Sequence, residues 1–367
     1  MEDNIRINRL VIIGNGFDLA HGLKTSYKDF IKWYLVGVLD SYSIKELNHE
    51  DSLLKIENRT GRSIIKYSYD KEQPWKSLET LELHKDGITI KKSILLLRIL
   101  KNIETKGWTD IESDYYALLK ENADSIEVCE SLNNQMDFLR DKLAEYLNTQ
   151  ETPQMISELP DIFNSTIDIS DIAPSRLMDF IKYRGYYSQR TVLLDFNYTP
   201  TTEMYKNSSI NVLHIHGSLD NTKSMIFGYG DEMDKDFQEL EDRNENDLLK
   251  NTKSIKYLEA GNYKKLMNFI GGLPYQVFIM GHSCGNSDRT LLNTIFEHEN
   301  CISIKHFYYK RGEKEGDDDY SEITRNIYRN FKDKTLFRDR VVDKPKCKPM
   351  PQVEKKKDEN NVTGSGK

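Results

Sequence analysis

The chain of 367 residues has only four cysteines, Cys129, Cys284, Cys301 and Cys347, widely scattered and with no Cys-x-x-Cys pair. That spacing supplies neither a zinc-ligand set nor a disulfide framework, and it points to a reducing compartment. No apolar run approaches the length that crosses a bilayer, and no secretory apolar segment precedes Leu10. Positive charge is also in deficit, with 52 Lys and Arg against 59 Asp and Glu and a net charge of -7. Such a balance gives no broad electrostatic grip on nucleic acid or on an anionic membrane, so a small molecule or a protein is the expected partner. These absences predict a cytoplasmic protein with no metal, no membrane contact and little affinity for nucleic acid.

What is present begins with Leu10-Val11-Ile12-Ile13-Gly14-Asn15-Gly16-Phe17-Asp18. Val11 to Ile13 read as a strand buried on both faces, and Gly14 and Gly16 allow the backbone to turn tightly and approach a ligand. A helix from Ser26 to Leu39 follows, with Tyr27, Phe30, Ile31, Tyr34 and Val38 on one face, Thr25 or Ser26 as N-cap, and Asp29 completing a capping-box pattern. The third glycine of the dinucleotide fingerprint is missing, and no acidic residue ends a second strand about twenty residues on.

From about Asp40 to Arg190 the sequence is polar, charged and helix-compatible, without obvious buried strands, and reads as a helical insertion. Its best helices span Ile111 to Lys120 and Val128 to Leu147. Strand patterning resumes at Thr191–Phe196, Ile210–Ile215, Met225–Phe227, Tyr275–Met280 and Ile302–Phe307, separated by polar or helical segments. The expectation is an α/β fold, a doubly wound and mostly parallel Rossmann-like sheet, divided as 1–39 (first strand, glycine loop and helix), 40–190 (insertion), 191–335 (remainder of the core) and 336–367. Asp231 to Lys256 reads as an exposed charged loop and helix. From Val342 onward, Pro, Lys, Glu and Asn dominate and the tail is expected to be disordered.

Ligands of open parallel sheets bind outside the carboxyl ends of the strands. Here those exits are Gly14-Asn15-Gly16, Asn197-Tyr198-Thr199, His214-Ile215-His216-Gly217-Ser218 and Gly281-His282-Ser283. Each carries glycine or hydrogen-bonding side chains, and loop residues of this kind have no packing reason to follow buried strands.

Gly14-Asn15-Gly16-Phe17-Asp18-Leu19-Ala20-His21-Gly22-Leu23, with Thr25-Ser26-Tyr27 and Phe30, resembles the AbiH family, named for abortive-infection phage resistance in bacteria. Trp108-Thr109-Asp110-Ile111-Glu112, Asp195-Phe196-Asn197-Tyr198-Thr199, His214-Ile215-His216-Gly217, Phe227-Gly228-Tyr229-Gly230 and Gly281-His282-Ser283 with Asp288 are similar to further landmarks of it. The same landmarks more loosely resemble the sirtuin-like, NAD-consuming fold. That resemblance implies a dinucleotide held by Gly14, Asn15, Gly16, Phe17, Asp18, Gly281, Ser283 and Asp288, with Asn197 orienting water or the ribose and His216 as general base. NAD would then be the substrate, hydrolysed to nicotinamide and ADP-ribose. A toxic effector of this kind implies a phage-derived trigger or assembly with further copies of the chain. Deacetylation is disfavoured because the zinc-binding cysteines of sirtuin deacetylases are absent, and Asn15 stands in place of the usual Ala.

Three rival readings remain open: nucleotide sensing without turnover, nuclease chemistry on Asp110/Glu112 or Asp231/Glu232, and a Gly281-His282-Ser283-Cys284-Gly285 nucleophile elbow. The elbow would need Asp288 or Glu297 and then His298 or His306 as partners for Ser283.

Overall fold

The computed structural model describes residues 6–44, 48–58, 69–84, 87–107, 110–177, 188–312, 314 and 316–353. Its centre is a five-stranded sheet of β1 (Ile7–Ile13), β5 (Ser188–Asp195), β6 (Ile210–His214), β7 (Tyr275–Met280) and β8 (Cys301–Phe307), in the order β6-β5-β1-β7-β8 and parallel throughout. β1 is buried along its whole length and its alternate side chains serve two cores. Leu10 and Ile12 pack with Val192, Leu194, Val277 and Ile279 on one face, while Val11 and Ile13 pack with Leu193, Phe278 and Met280 on the other. Burial on both faces is why the strand reads as an unbroken apolar run rather than an alternating one.

The helices are α1 (Asn15–Ala20), α2 (Tyr27–Ile44), α3 (Pro74–His84), α4 (Ile94–Lys106), α5 (Ile111–Glu121), α6 (Ile126–Leu147), α7 (Leu159–Phe163), α8 (Lys235–Asp242), α9 (Asn246–Leu249), α10 (Lys253–Ala260), α11 (Asn262–Ile270), α12 (Arg289–Glu297), α13 (Tyr320–Arg329) and α14 (Lys334–Arg340). Helices α10 to α14 cover the Leu10 face, whereas short α7 and the segment ending at Val353 cover the Val11 face. The expected capping box at the start of α2 is present: Ser26 Oγ accepts from the Asp29 amide at 3.1 Å and donates to Asp29 Oδ2 at 2.6 Å.

The insertion has its own core, built from α2 to α6 and closed by Tyr198, Met225, Phe227 and Tyr229 from the sheet side. It is not purely helical. Strands β2 (Asn48–Glu50), β3 (Leu54–Asn58) and β4 (Ile88–Lys92) form a small antiparallel sheet, with Leu54, Ile56 and Asn58 inward and charged residues between them. The alternating charges hid these half-buried strands inside a polar stretch.

Two further expectations are corrected. Met225–Phe227 is not a strand: Met225 and Phe227 point into the insertion core and Ile226 into the sheet core, and this straddling produces a strand-like alternation. The tail is ordered from Val342 to Val353. Val342 and Met350 donate backbone bonds to Ile304 and Tyr308 beside β8, Val353 donates to Ala20 of α1, and Val342, Cys347 and Met350 are buried while the lysines between them face solvent. A strap that buries one residue in several needs little apolar sequence. Residues 354–367 lie outside the described residues, as do Trp108 and Thr109.

Candidate functional site

The register of the sheet brings the strand exits together. Ile13 lies opposite both Asp195 and Met280, and Asp195 lies opposite His214, so four chain exits leave the sheet at one level. The chain runs outward from β1 through β5 to β6, then returns to place β7 on the other side of β1. A crevice opens at the carboxyl end where the strand order reverses. It forms a cavity of about 510 Å³ between the exits and the insertion, roofed by Tyr27 and Lys28 of α2, Asp110 and Glu112 at the start of α5, and Leu143 and Leu147 of α6.

Of the residues singled out from the sequence, Gly14, Asn15, Gly16, Asp18, Asn197, His216, Gly281, Ser283 and Asp288 all line this cavity. Phe17 does not. Its ring is fully buried beneath the loop, 4.3 Å from the His21 ring, so it anchors α1 to the sheet.

The glycines also let the two loops pack against each other. A Cβ on Gly14 would fall 2.6 Å from His282 Cα, and one on Gly281, whose φ is +70°, would fall 2.1 Å from the Phe17 amide nitrogen. The Gly16 amide donates to the Gly281 carbonyl at 2.8 Å. The two loops are thus fastened to each other. Asn197 closes the same corner by donating its Nδ2 to the Gly14 carbonyl at 3.1 Å.

Two of the four carboxylates that line the cavity, Asp18 and Asp288, have contrasting surroundings. Asp18 is 1 % exposed; its Oδ2 accepts from Thr199 Oγ1 at 2.5 Å, and its Oδ1 has no protein partner. Burial pushes its pKa up to about 6, against hydrogen bonds from Thr199, Thr201 and Asn197, because only neutral donors surround it. Asp288 has one cation, Lys253, and two imidazoles beside it instead. Its Oδ1 lies 2.8 Å from Lys253 Nζ and 3.2 Å from His216 Nε2, and its Oδ2 lies 3.7 Å from His282 Nε2. Burial alone would raise Asp288, but Lys253, His216 and His282 outweigh it and hold the carboxyl well below the usual range.

His216 is buried, with Nε2 also 3.0 Å from the Tyr257 hydroxyl. Burial, reinforced by the Lys253 ammonium, lowers its pKa against the pull of Asp288, so the imidazole is neutral at pH 7, the state a base requires. His282 is driven down to about 4 mainly by burial, and its Nδ1 accepts from the Cys284 amide at 3.0 Å.

Lys253 was missed in the sequence. It is completely buried, and its Nζ bridges Asp288 to Glu112 Oε2 at 2.9 Å. Nothing in the charged run around it separates Lys253 from its solvent-facing neighbours. Asp231, in the same run, is also buried and pairs with Arg289 at 3.3 Å.

The rival constellations are not assembled. Glu297 and His298 precede β8, at the end of the sheet opposite Ser283, and six residues of β7 place roughly 20 Å between those ends. Glu297 accepts from the amides of Lys332 and Asp333, His306 is buried against Tyr320, and Asp288 is engaged by Lys253 and His216. In this turn the left-handed residues are Gly281, at φ +70°, and Cys284, at φ +53°, not Ser283. The acidic pairs considered for a nuclease metal are likewise divided among partners: Asp110 caps α5, Glu112 meets Lys253, and Asp231 meets Arg289. Among the described residues, no three His, Cys, Asp or Glu side chains are grouped as metal ligands. No described helix is long and apolar enough to cross a membrane.

Fold and site together define an α/β protein with a ligand-sized cavity at the strand exits, lined by apolar surface with several polar side chains and walled on one side by the insertion. The family described as bacteriophage abortive infection AbiH matches residues 10–310, and the chain belongs to that family. Its general role is therefore in phage abortive infection. Neither a curated protein nor a solved structure matches the chain.

Proposed function

We propose that this AbiH protein hydrolyses NAD to nicotinamide and ADP-ribose, and that loss of NAD is how it aborts infection. The observation that carries the reading is the grouping of an ionised Asp288, a neutral His216 and the amide of Asn197 on one cavity at the strand-order reversal. Counted along the core strands, that order is 3-2-1-4-5, the arrangement of Rossmann-like dinucleotide folds and in keeping with a sirtuin-like core. The cavity volume lies within the range of small-molecule and cofactor sites.

The reaction breaks the bond between nicotinamide nitrogen and ribose C1′, and the bonding pair leaves with the ring, which becomes neutral nicotinamide. Positive charge develops on the sugar. A buried carboxylate such as Asp288 stabilises that charge far better than bulk water does. Asn197 holds a water in line with C1′ without adding charge. Water oxygen then bonds to C1′ and its proton is released, which gives ADP-ribose, nicotinamide and one proton. His216 takes a proton from a ribose hydroxyl as the sugar becomes cationic and returns it to that oxygen once water has added; in between, its imidazolium has the Asp288 carboxylate 3.2 Å away as counter-charge. Asp18, with an unpartnered oxygen and a pKa near neutrality, serves as a donor or acceptor to a sugar hydroxyl.

The test is chromatographic measurement of nicotinamide released by purified protein, alone and with lysate from phage-infected cells. Release by the wild type, lost in Asn197→Ala and His216→Ala, supports the reading. Calorimetric binding of NAD with no product under either condition would move the protein to nucleotide sensing.

A further inference from the structure

We propose that Lys253 is the positioning residue of this site: its ammonium fixes the Asp288 carboxylate against His216 and ties both to Glu112 of the helical insertion. The catalytic half of this inference rests on the cavity being an NAD-cleaving site, whereas the electrostatic half does not.

Lys253 stands at the first position of α10, a place where a lysine ordinarily extends into water. Here its side chain is turned inward with no exposure at all, and both ends of the residue are fastened. Its amide donates to the Tyr229 carbonyl at 2.9 Å, and a Cβ on neighbouring Gly230 would come within 3.1 Å of Lys253 Cβ. The Gly228-Tyr229-Gly230 segment is thereby a slot cut to the lysine stem. At the far end, Nζ meets one carboxylate from each side of the cavity: Asp288 from the turn after β7, and Glu112 from the first turn of α5. Glu112 Oε1 in turn accepts the Gly228 amide at 3.0 Å, which returns the chain of contacts to the slot.

An isolated ammonium in such a place would be very costly, and two facing carboxylates are what make it tolerable. Burial opposes the charge on Lys253, yet Asp288 and Glu112 overcome it and keep the amine protonated. Glu112 is the weaker partner of the two, since burial raises it and Lys253 only partly offsets that. The groups that face His216 are Asp288, Lys253, His282, Tyr257 and Tyr198. Among them Lys253 is the fixed cation that opposes protonation of the imidazole. The lysine therefore does two jobs: by direct contact it stops Asp288 from protonating, and through space it adds to burial in keeping His216 neutral. Because Glu112 belongs to the insertion, any movement of α5 changes the number of carboxylates that share the ammonium, and with it the charge state around His216.

The decisive experiment follows the His216 imidazole signal by NMR in protein with labelled histidine, across pH, in Lys253→Met, Glu112→Gln and Lys253→Arg, with the signal assigned by His216→Gln. Lys253→Met is expected to raise the His216 midpoint by about one pH unit. Glu112→Gln, which breaks the same buried cluster but leaves the ammonium on Asp288, is expected to leave that midpoint in place, and Lys253→Arg to restore it. In nicotinamide release, Lys253→Met should lose at least about tenfold in kcat with a much smaller change in KM, and the acidic limb of its pH profile should move upward. Should Lys253→Met fail to fold, the double variant Lys253→Met/Glu112→Gln removes one carboxylate together with the ammonium and gives the same reading. An unchanged His216 midpoint in a folded variant without the lysine, or an equal rise in Glu112→Gln, overturns the proposal. If the wild type releases no nicotinamide under any condition, the NAD reading fails while the imidazole titration still decides the role of Lys253.

Discussion

Asp18 and Asp288 are buried carboxyls on the same cavity, and their surroundings give them opposite character. Around Asp18 the neighbours are hydroxyls and an amide, and the carboxyl is pushed up to about 6. Beside Asp288 a lysine and two histidines converge, and the carboxyl is held ionised well below its usual range. Both aspartates are buried, so burial does not set the difference; the charge of the neighbours does. A site that must stabilise a cationic sugar and exchange hydrogen bonds with neutral hydroxyls is served by such a split.

The comparison is broken most severely on the Asp288 side. Lys253→Met strands two carboxylates and should cost roughly 3–5 kcal/mol in chemical denaturation, since removal of one partner leaves buried charge uncompensated. Asp288→Asn should abolish nicotinamide release by at least about 10²-fold, a loss read in kcat rather than KM because the charge it supplies matters only as the sugar becomes cationic. Gly281→Ala tests the junction between the loops after β1 and β7: with φ at +70° and a Cβ 2.1 Å from the Phe17 nitrogen, the two loops must separate. A loss of about 3 kcal/mol is expected, together with weaker NAD binding.

Asp18→Asn should do the reverse of Lys253→Met and stabilise the protein at neutral pH by roughly 1–3 kcal/mol. The sign follows from linkage. Asp18 has a folded pKa above the unfolded value, so its contribution is present at low pH and is lost as pH rises through about 6. Asp288 has a depressed folded pKa, so its contribution is present above the unfolded carboxyl value and is lost as pH falls below it. Denaturation curves of Asp18→Asn and wild type should therefore follow each other below about pH 4, separate between about pH 4 and 6, and run parallel above. Parallel curves across the window from about pH 4 to 6 would remove the contrast between the two carboxyls.

Much of the sheet was legible because its strands are buried on both faces and bounded by glycine or polar turns. Tyr275–Met280 was read with its observed limits, and the exits after β1, β5, β6 and β7 pointed to one edge. Features that depend on long-range packing were not. The small sheet of the insertion is half-buried and carries Lys and Glu between its apolar positions, so it reads as polar sequence. Arg9 looks like an interruption of β1, yet its guanidinium donates to the carbonyls of Ile162, Phe163 and Ser165 and to Gln276, across more than 150 residues of chain for the first three. Lys253 and Glu112 come together over a separation of 141 residues, and no local pattern announces a buried ammonium. For Gly14 and Gly16 a sequence shows that a side chain is absent, and only the fold shows that His282 and Gly281 occupy the space.

The most direct test of the account is the NAD content of bacterial cells that carry either the wild-type protein or Asp288→Asn, followed through phage challenge. The account predicts that NAD falls and nicotinamide rises after infection in wild-type cells only, with protection lost in the variant. Protection by the wild type with NAD unchanged would contradict it.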